Sequence, residues 1–483
     1  NYKAIFDRID NILWKDAGCD SDIDYIEQTS WILFLKYLDD LEKEKKAAAK
    51  LSNETYSSIF KDEFCWEAWA APKKEDGSLD LNKALNGADL KDFVDTKLFP
   101  YLKTFQSVAN DTNSLVYKIG QIFNEITNRI QSGYIIRDAI NEVDKLKFLT
   151  NEDKHELSSL YEDKIQKMGN AGRSGGQYYT PRPLIEAIIK IVNPVIGEKV
   201  YDAAVGSAGF LCEAYSHILS SKELTATEYR QLQFSTFYGK EKKSLAYVIG
   251  IMNMILHGIE SPNILQTNTL TENILDIQDS ERVDVVLANP PFGGKERKEV
   301  QQNFPIKTSE TAFLFLQHFI KMLKVDGRAG IIIKNTFLSN GDNASIALRK
   351  QLLEECNLYA ILDLPRKTFT AGVKTVVLFF NKGTPTKNIW YYKLNTGRNL
   401  GKTNPLNQNH TAEFVELAKT HELSDNSWMV NVADVDKDTY DLEVNNPNKV
   451  EEVDNRTPQE IITEIEQLGA KASEALKAIK ELL

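Results

Sequence analysis

"KVYDAAVGSAGFLCEAYSHILSSKEL" spans residues 199–224. Its apolar start, Val200-Tyr201, stops on Asp202, runs through Gly206 and Gly209, and opens into an apolar-periodic stretch. That order reads as a strand, a tight glycine turn and a helix. From about residue 176 the same grammar repeats. "STFYGKE" leads into "SLAYVIGIMNMILHGI", and "VDVVLANPP", "ETAFLFLQHFIKMLK", "RAGIIIKN", "LYAILDLP" and "TVVLFFNKG" follow. Such alternation predicts an α/β fold with a doubly wound, largely parallel sheet. Sheets of this kind bind ligands at the carboxyl ends of their strands. The last strands, near 358–395, have no helices between them and suit an antiparallel edge pair.

Outward from this core the texture changes. Residues 1–165 read as a helical N-terminal domain. Ile26, Trp31, Ile32, Phe34, Leu35, Tyr37, Leu38 and Leu41 form one broad apolar stripe with charges opposite. The sheet domain is placed at 166–400, followed by a polar extension over 401–456 that is irregular with short elements. Residues 457–483 begin with Thr457 as N-cap and Pro458 at the first helical position. They predict an amphipathic helix that either packs back on its own chain or docks on a partner.

The 483 residues suggest about three domains. No apolar stretch reaches the ~18 residues a membrane span needs. The first residues read as an amphipathic helix and not as a secretion signal. Cys19, Cys65, Cys212 and Cys356 lie far apart, which argues against a zinc site or a disulfide framework and for a reducing cytoplasm. No metal site is expected, and His257 reads as a helix-end residue. A net charge of −11 is a poor match to DNA or RNA by bulk electrostatics, so a partner is expected to supply much of any phosphate contact.

Three segments carry chemistry. In the glycine turn, Asp202, Gly206, Ser207 and Gly209 suit a nucleoside bearing a sulfonium better than one bearing a pyrophosphate; a plain strand–helix turn is the alternative. Glu241 ends the next strand, where an acid accepts bonds from ribose hydroxyls; a solvated acid beside Lys240, Lys242 and Lys243 is the alternative. The third segment is Asn289-Pro290-Pro291-Phe292. Two acceptors, the Asn289 side-chain oxygen and the Pro290 carbonyl, can draw an exocyclic amino group toward tetrahedral geometry and localise its lone pair. The prolines hold that carbonyl in place. Phe292 offers a flat face, and stacking on it is worth about 1–3 kcal/mol per base. After it, Lys295, Arg297 and Lys298 either touch phosphates of a flipped strand or are merely solvated.

Together these residues resemble S-adenosylmethionine-dependent amino-methyltransferases, with their Asn/Asp/Ser-Pro-Pro-aromatic hallmark. More narrowly, the chain is similar to the modification subunit of type I restriction–modification systems. "GGQYYTPRPLIEAIIKIV" (175–192) resembles the family's cover over the methionine end of the cofactor, and "NTLTENI" (268–274) its loop beside the adenine. "LPRKTFTAGVKTVVLFFNKG" (364–383), "LWKDAGCDSDIDYIEQTSWILFLKYLDD" (13–40) and "TYDLEVNNPN" (439–448) resemble its late hairpin, helical N-terminal domain and C-terminal pattern.

The resemblance implies a Rossmann-like S-adenosylmethionine-dependent methyltransferase domain between a helical N-terminal domain and a C-terminal helical tail. It implies N6-adenine methylation of a flipped base in double-stranded DNA. The implied partners are a second copy of the chain, one specificity subunit that reads a split sequence, and a restriction subunit. It assigns cofactor contacts to Tyr178, Tyr179, Thr180, Pro181, Asp202, Gly206, Ser207, Gly209, Glu241, Asn268, Thr269 and Leu270, and it favours partner docking for 457–483. This chain departs from the family at Ala203, where a proline is common, at Asn268, where Asp is common, and in "KNTF" (334–337), which lacks a proline. An RNA or protein-glutamine amino-methyltransferase and a catalytically decayed scaffold are the alternatives.

Overall fold

The computed structural model describes residues 2–447 except 113, 149–150, 170–178, 370–371 and 402–403, and also 459, 461–463 and 466–469. Residues up to Val444 form one compact unit, and Asn445–Leu483 a second. In the second, the described residues between 459 and 469 are helical, with Ile462 and Leu468 exposed; the rest of the expected 457–483 helix lies outside the described residues.

Among the described residues nine strands make one sheet: β1 (Val200–Asp202), β2 (Phe237–Glu241), β3 (Asn263–Gln266), β4 (Val283–Ala288), β5 (Leu323–Lys334), β6 (Cys356–Asp363), β7 (Thr375–Lys382), β8 (Asn388–Lys393) and β9 (Ser427–Asn431). Their order is β3-β2-β1-β4-β5-β7-β6-β8-β9. The strands from β3 to β5 pair in parallel, as the strand–helix alternation predicts. The β6–β7 pair is antiparallel. It lies inside the sheet rather than at its edge, because β8 pairs with β6 and β9 closes that side.

The N-terminal part is helical: α1 (Tyr2–Leu13), α2 (Asp22–Leu51), α3 (Trp66–Trp69), α4 (Gly87–Asp92), α5 (Phe99–Val108), α6 (Leu115–Glu125), α7 (Gly133–Val143) and α8 (Asn151–Gly169). In the sheet region follow α9 (Arg182–Val192), α10 (Gly209–Ser221), α11 (Ala226–Phe234), α12 (Ser244–Leu256), α13 (Lys298–Gln301), α14 (Thr311–Met322), α15 (Asn343–Glu355) and α16 (Gln408–Leu417).

Both faces of the sheet are covered, which is why its strands read as continuous apolar runs. On β4, Val285 and Leu287 join the core that holds α9, α10 and α12, while Val286 and Ala288 join the core that holds α14 and α15. Within the stretch expected to be irregular, α16 packs on α9 and β9 extends the sheet. Arg349, fully buried on α15, donates to the carbonyls of Phe337, Thr439 and Tyr440 at 2.9, 2.7 and 2.8 Å, which ties Thr439 and Tyr440 to α15.

Helix α2 differs from its expected two-faced pattern. Along with the apolar stripe it buries Glu27, Lys36, Asp39 and Glu42. These charges are partnered rather than solvated. Lys36 pairs with Asp40 at 2.5 Å and Asp39 with Lys43 at 2.8 Å, and Glu42 accepts from the Ile59 amide at 2.6 Å.

Candidate active site

The chain runs from β1 outward to β2 and β3, then returns to place β4 on the other side of β1. The crevice above β1 and β4 is therefore the topological switch point, where such sheets bind ligands. A pocket there is lined by Thr180, Asp202, Gly206, Ser207, Gly209 and Asn289. Residues from three distant stretches thus meet in one place.

Gly206 and Ala208 both adopt the left-handed region, at φ 54° and 62°, and so bend the chain from β1 into α10. The Gly206 amide donates to Glu241 Oε2 at 2.9 Å, and the Lys243 amide to Oε1 at 2.8 Å. Each carboxylate oxygen accepts more than one hydrogen bond, so Glu241 keeps capacity for a ligand's hydroxyls. Gly239 explains how closely the turn sits on β2: a Cβ there would lie 2.4 Å from Val205 Cγ2 and 2.8 Å from the Asp202 carbonyl. Asp202 is buried. Burial pushes its carboxyl up to about 8, opposed by the Ala204 amide it accepts at 2.9 Å and helped by the nearby Glu241 charge.

Asn289 follows the last residue of β4 and donates from Nδ2 to the Thr180 hydroxyl at 2.9 Å. Its Oδ1 is buried and accepts no hydrogen bond among the described residues. An acceptor left so costs about 1–3 kcal/mol, which a ligand N–H recovers. Pro290 is buried and Pro291 exposed. Phe292 is half-buried and meets Phe369 edge to face, with ring centroids 5.0 Å apart and planes at 70°. Beyond it, Lys295 and Arg297 on a loop and Lys298 at the start of α13 are exposed, and the Glu296 amide staples that loop to the Ser309 carbonyl at 2.8 Å.

Tyr178 lies outside the described residues. Tyr179 is half-buried, and burial pushes its phenol up to about 12. The Pro181 carbonyl accepts from the Leu184 and Ile185 amides and opens α9, so Tyr179 and Thr180 lead directly into a helix start. On the other flank, Asn268 Oδ1 accepts the Leu270 amide at 3.2 Å and forms the turn after β3. The Thr269 hydroxyl is committed to the Ala203 carbonyl at 2.7 Å, and Leu270 is buried in the core. These two residues dock the loop beside the end of β1. Of the three, Asn268 keeps a half-exposed side chain.

A half-buried cluster escaped the sequence reading. Arg182, at the start of α9, forms an ion pair with Glu162 of α8, sits 3.4 Å from Glu213 and donates to the Gly209 carbonyl at 3.2 Å. Asn253 Nδ2 reaches Glu162 at 3.3 Å and the Ser207 carbonyl at 2.8 Å. His257 caps the end of α12, with Nδ1 2.8 Å from the Asn253 carbonyl. Glu162, Cys212 and His257 have ligand atoms within 4.8 Å of one another, and the Arg182 guanidinium supplies positive charge there. Nothing local in the sequence marks Glu162 or Asn253, because their partners lie on other elements.

The fold and the pocket define a doubly wound α/β domain with a ligand site at its switch point, and comparisons narrow it. The family model for N-6 DNA methylases matches residues 152–456, and that for the HsdM N-terminal domain matches residues 3–168. The EcoEI type I restriction enzyme methylase subunit of Escherichia coli is 32% identical, covering 99% of this chain and 97% of that protein. A solved modification subunit from Vibrio vulnificus YJ016 is 32% identical with a TM-score of 0.82, covering 93% of this chain and 97% of that one. A chain from work on complex assembly and conformational transition of the type I R-M system is 36% identical with a TM-score of 0.79, covering 99% and 97%. The chain belongs to the N-6 DNA methylase family, among the modification subunits of type I restriction–modification systems.

Proposed function

We propose that this chain is the methyltransferase subunit of a type I restriction–modification complex, acting on the N6 amino group of an adenine flipped out of double-stranded DNA. The observation that carries the reading is Asn289 Oδ1, a buried acceptor with no hydrogen bond among the described residues, on the rim of the pocket that holds Asp202. An adenine amino group has the donors this atom lacks.

S-adenosylmethionine, when bound, supplies an electrophilic methyl group. The residues present suit it: Asp202 as a buried acid beside a cation, Glu241 with spare lone pairs for ribose hydroxyls, and glycines that let the backbone approach. Thr180 holds the Asn289 amide so that Oδ1 faces away from it. Asn289 then accepts from the adenine amino group and localises the nitrogen lone pair for attack, with the Pro290 carbonyl as second acceptor. Asn289 is neutral and takes no proton. The N6 proton, acidic once the nitrogen carries the methyl group and a positive charge, leaves to water, which spares the site a tuned base. Phe292 stacks on the base, and that offsets part of the few kcal/mol that flipping costs.

Sequence choice is assigned to a separate specificity subunit, in a complex of two modification subunits with one specificity subunit. A restriction subunit completes the system. The −11 net charge supports division of DNA binding among chains. Four widely spaced cysteines suit a reducing compartment, and we place the complex in the cytoplasm. The test is transfer of labelled methyl from S-adenosylmethionine to DNA by the complex reconstituted with its specificity subunit. Label on adenine N6 supports the reading, and label on RNA or protein alone contradicts it.

A further inference from the structure

We propose that Glu162 is a positioning residue for the cofactor turn, and that through it helix α8 sets how tightly the pocket holds S-adenosylmethionine. The inference rests on the cofactor assigned above.

The turn from Gly206 to Gly209 has an unusual shape. Two of its residues, Gly206 and Ala208, are left-handed, and Ala208 carries a Cβ that disfavours this region. Such a conformation persists only where the surroundings over-determine it. Two of its carbonyls are held from outside. Asn253 Nδ2 donates to the Ser207 carbonyl at 2.8 Å, and Arg182 Nη1 to the Gly209 carbonyl at 3.2 Å. Asn253 is almost fully buried on α12, and Arg182 opens α9 beside the covering segment.

Both holding side chains meet the same carboxylate. Glu162 pairs with Arg182 and accepts from Asn253 Nδ2 at 3.3 Å. Glu162 also borders a second pocket with Tyr179, Thr180, Ser207 and Gly209. It comes from α8, outside the strand–helix alternation. The neighbouring Tyr161 hydroxyl lies 2.8 Å from Ser30 on α2 and 3.9 Å from Met252 on α12, so α8 is keyed to both regions. A partly buried ion pair is weak evidence for stability, and its contacts point to a role in fixing a conformation. Here the conformation it specifies is that of the turn that lines the pocket.

The test uses the full chain and two readouts. Without cofactor, hydrogen exchange of the amides at 206–209 is compared between wild type and Glu162→Gln. S-adenosylmethionine affinity is then measured by calorimetry, and methyl transfer is followed at saturating cofactor. We expect Glu162→Gln to speed exchange at the turn at least fivefold and to weaken cofactor binding at least tenfold. The transfer rate at saturating cofactor should stay within threefold of wild type, a split that general unfolding does not produce. Asn253→Ala leaves the ion pair intact and should weaken cofactor binding at least threefold. Unchanged exchange and affinity within twofold in a folded Glu162→Gln protein overturns the proposal. Where that variant does not fold, Asn253→Ala with affinity within twofold of wild type does so. Failure of the wild type to bind S-adenosylmethionine contradicts the cofactor assignment instead, and the exchange comparison still decides the role of Glu162.

Discussion

The Asn289 amide donates to the Thr180 hydroxyl at 2.9 Å, while its Oδ1 accepts no hydrogen bond among the described residues. Thr180 was expected to cover the cofactor. The structure gives its hydroxyl a second task, that of orienting Asn289. Thr180→Val removes the acceptor and leaves the shape. The loss of one neutral hydrogen bond, about 1 kcal/mol, predicts a methyl-transfer rate about fivefold lower with the melting temperature nearly unchanged. A rate equal to wild type would mean the amide is held by something else.

Glu241 accepts two backbone amides and has lone pairs to spare. Replacing it with Ala should weaken S-adenosylmethionine by roughly 1.5–3 kcal/mol, the range for hydrogen bonds to a charged group. Calorimetry on the folded variant measures this directly. Unchanged affinity removes Glu241 from the site.

Asp202 makes the site sensitive to pH. Its folded carboxyl titrates at about 8, above the ordinary value near 4, because it is buried. The folded chain therefore keeps a proton there that the unfolded chain releases. The stability this group contributes is fully present below about pH 4 and is lost as pH rises through about 8. Asp202→Asn should raise the melting temperature of the cofactor-free protein at pH 8.5, by a margin that narrows as pH falls. The same substitution should weaken binding of the cationic cofactor, and wild-type binding at pH 7 should release a proton that the variant does not. Calorimetry in buffers of different ionisation enthalpy measures that release. Proton uptake by the wild type would reverse the assignment.

Gly239 tests how tightly the turn and β2 are packed. A Cβ there meets Val205 and the Asp202 carbonyl at less than contact distance. Gly239→Ala should cost about 1–3 kcal/mol of stability, the usual range for overpacking, and should weaken cofactor binding as well, because the turn must shift. Denaturant unfolding with a midpoint equal to wild type contradicts this.

How much of this was legible in the sequence depends on the range of each contact. Asp202 and Asn289 each follow apolar residues and Glu241 closes the strand-like "STFYGKE", so the strand ends that gather at the switch point could be read locally. The order of the last four strands could not. Strand β8 pairs with β6 and β9 closes the edge through partners that the alternation of apolar residues does not name. The same limit applies to charge. On α2, Glu27, Asp39 and Glu42 looked like a solvated face, yet they are buried against groups that include the distant Ile59 amide. Glu162, Arg182 and Asn253 likewise join three helices, and periodicity reports which face is apolar but not which polar side chain meets which.

The central claim is that Asn289 activates an adenine amino group. Its most direct test is modified-base sequencing of DNA from cells that express this chain with its specificity subunit, beside an Asn289→Ala control that still binds S-adenosylmethionine. N6-methyladenine in a split sequence motif, lost in the control, is the predicted result. Methylation that persists in the control, or its absence from cells with a folded, cofactor-binding wild-type complex, contradicts the account.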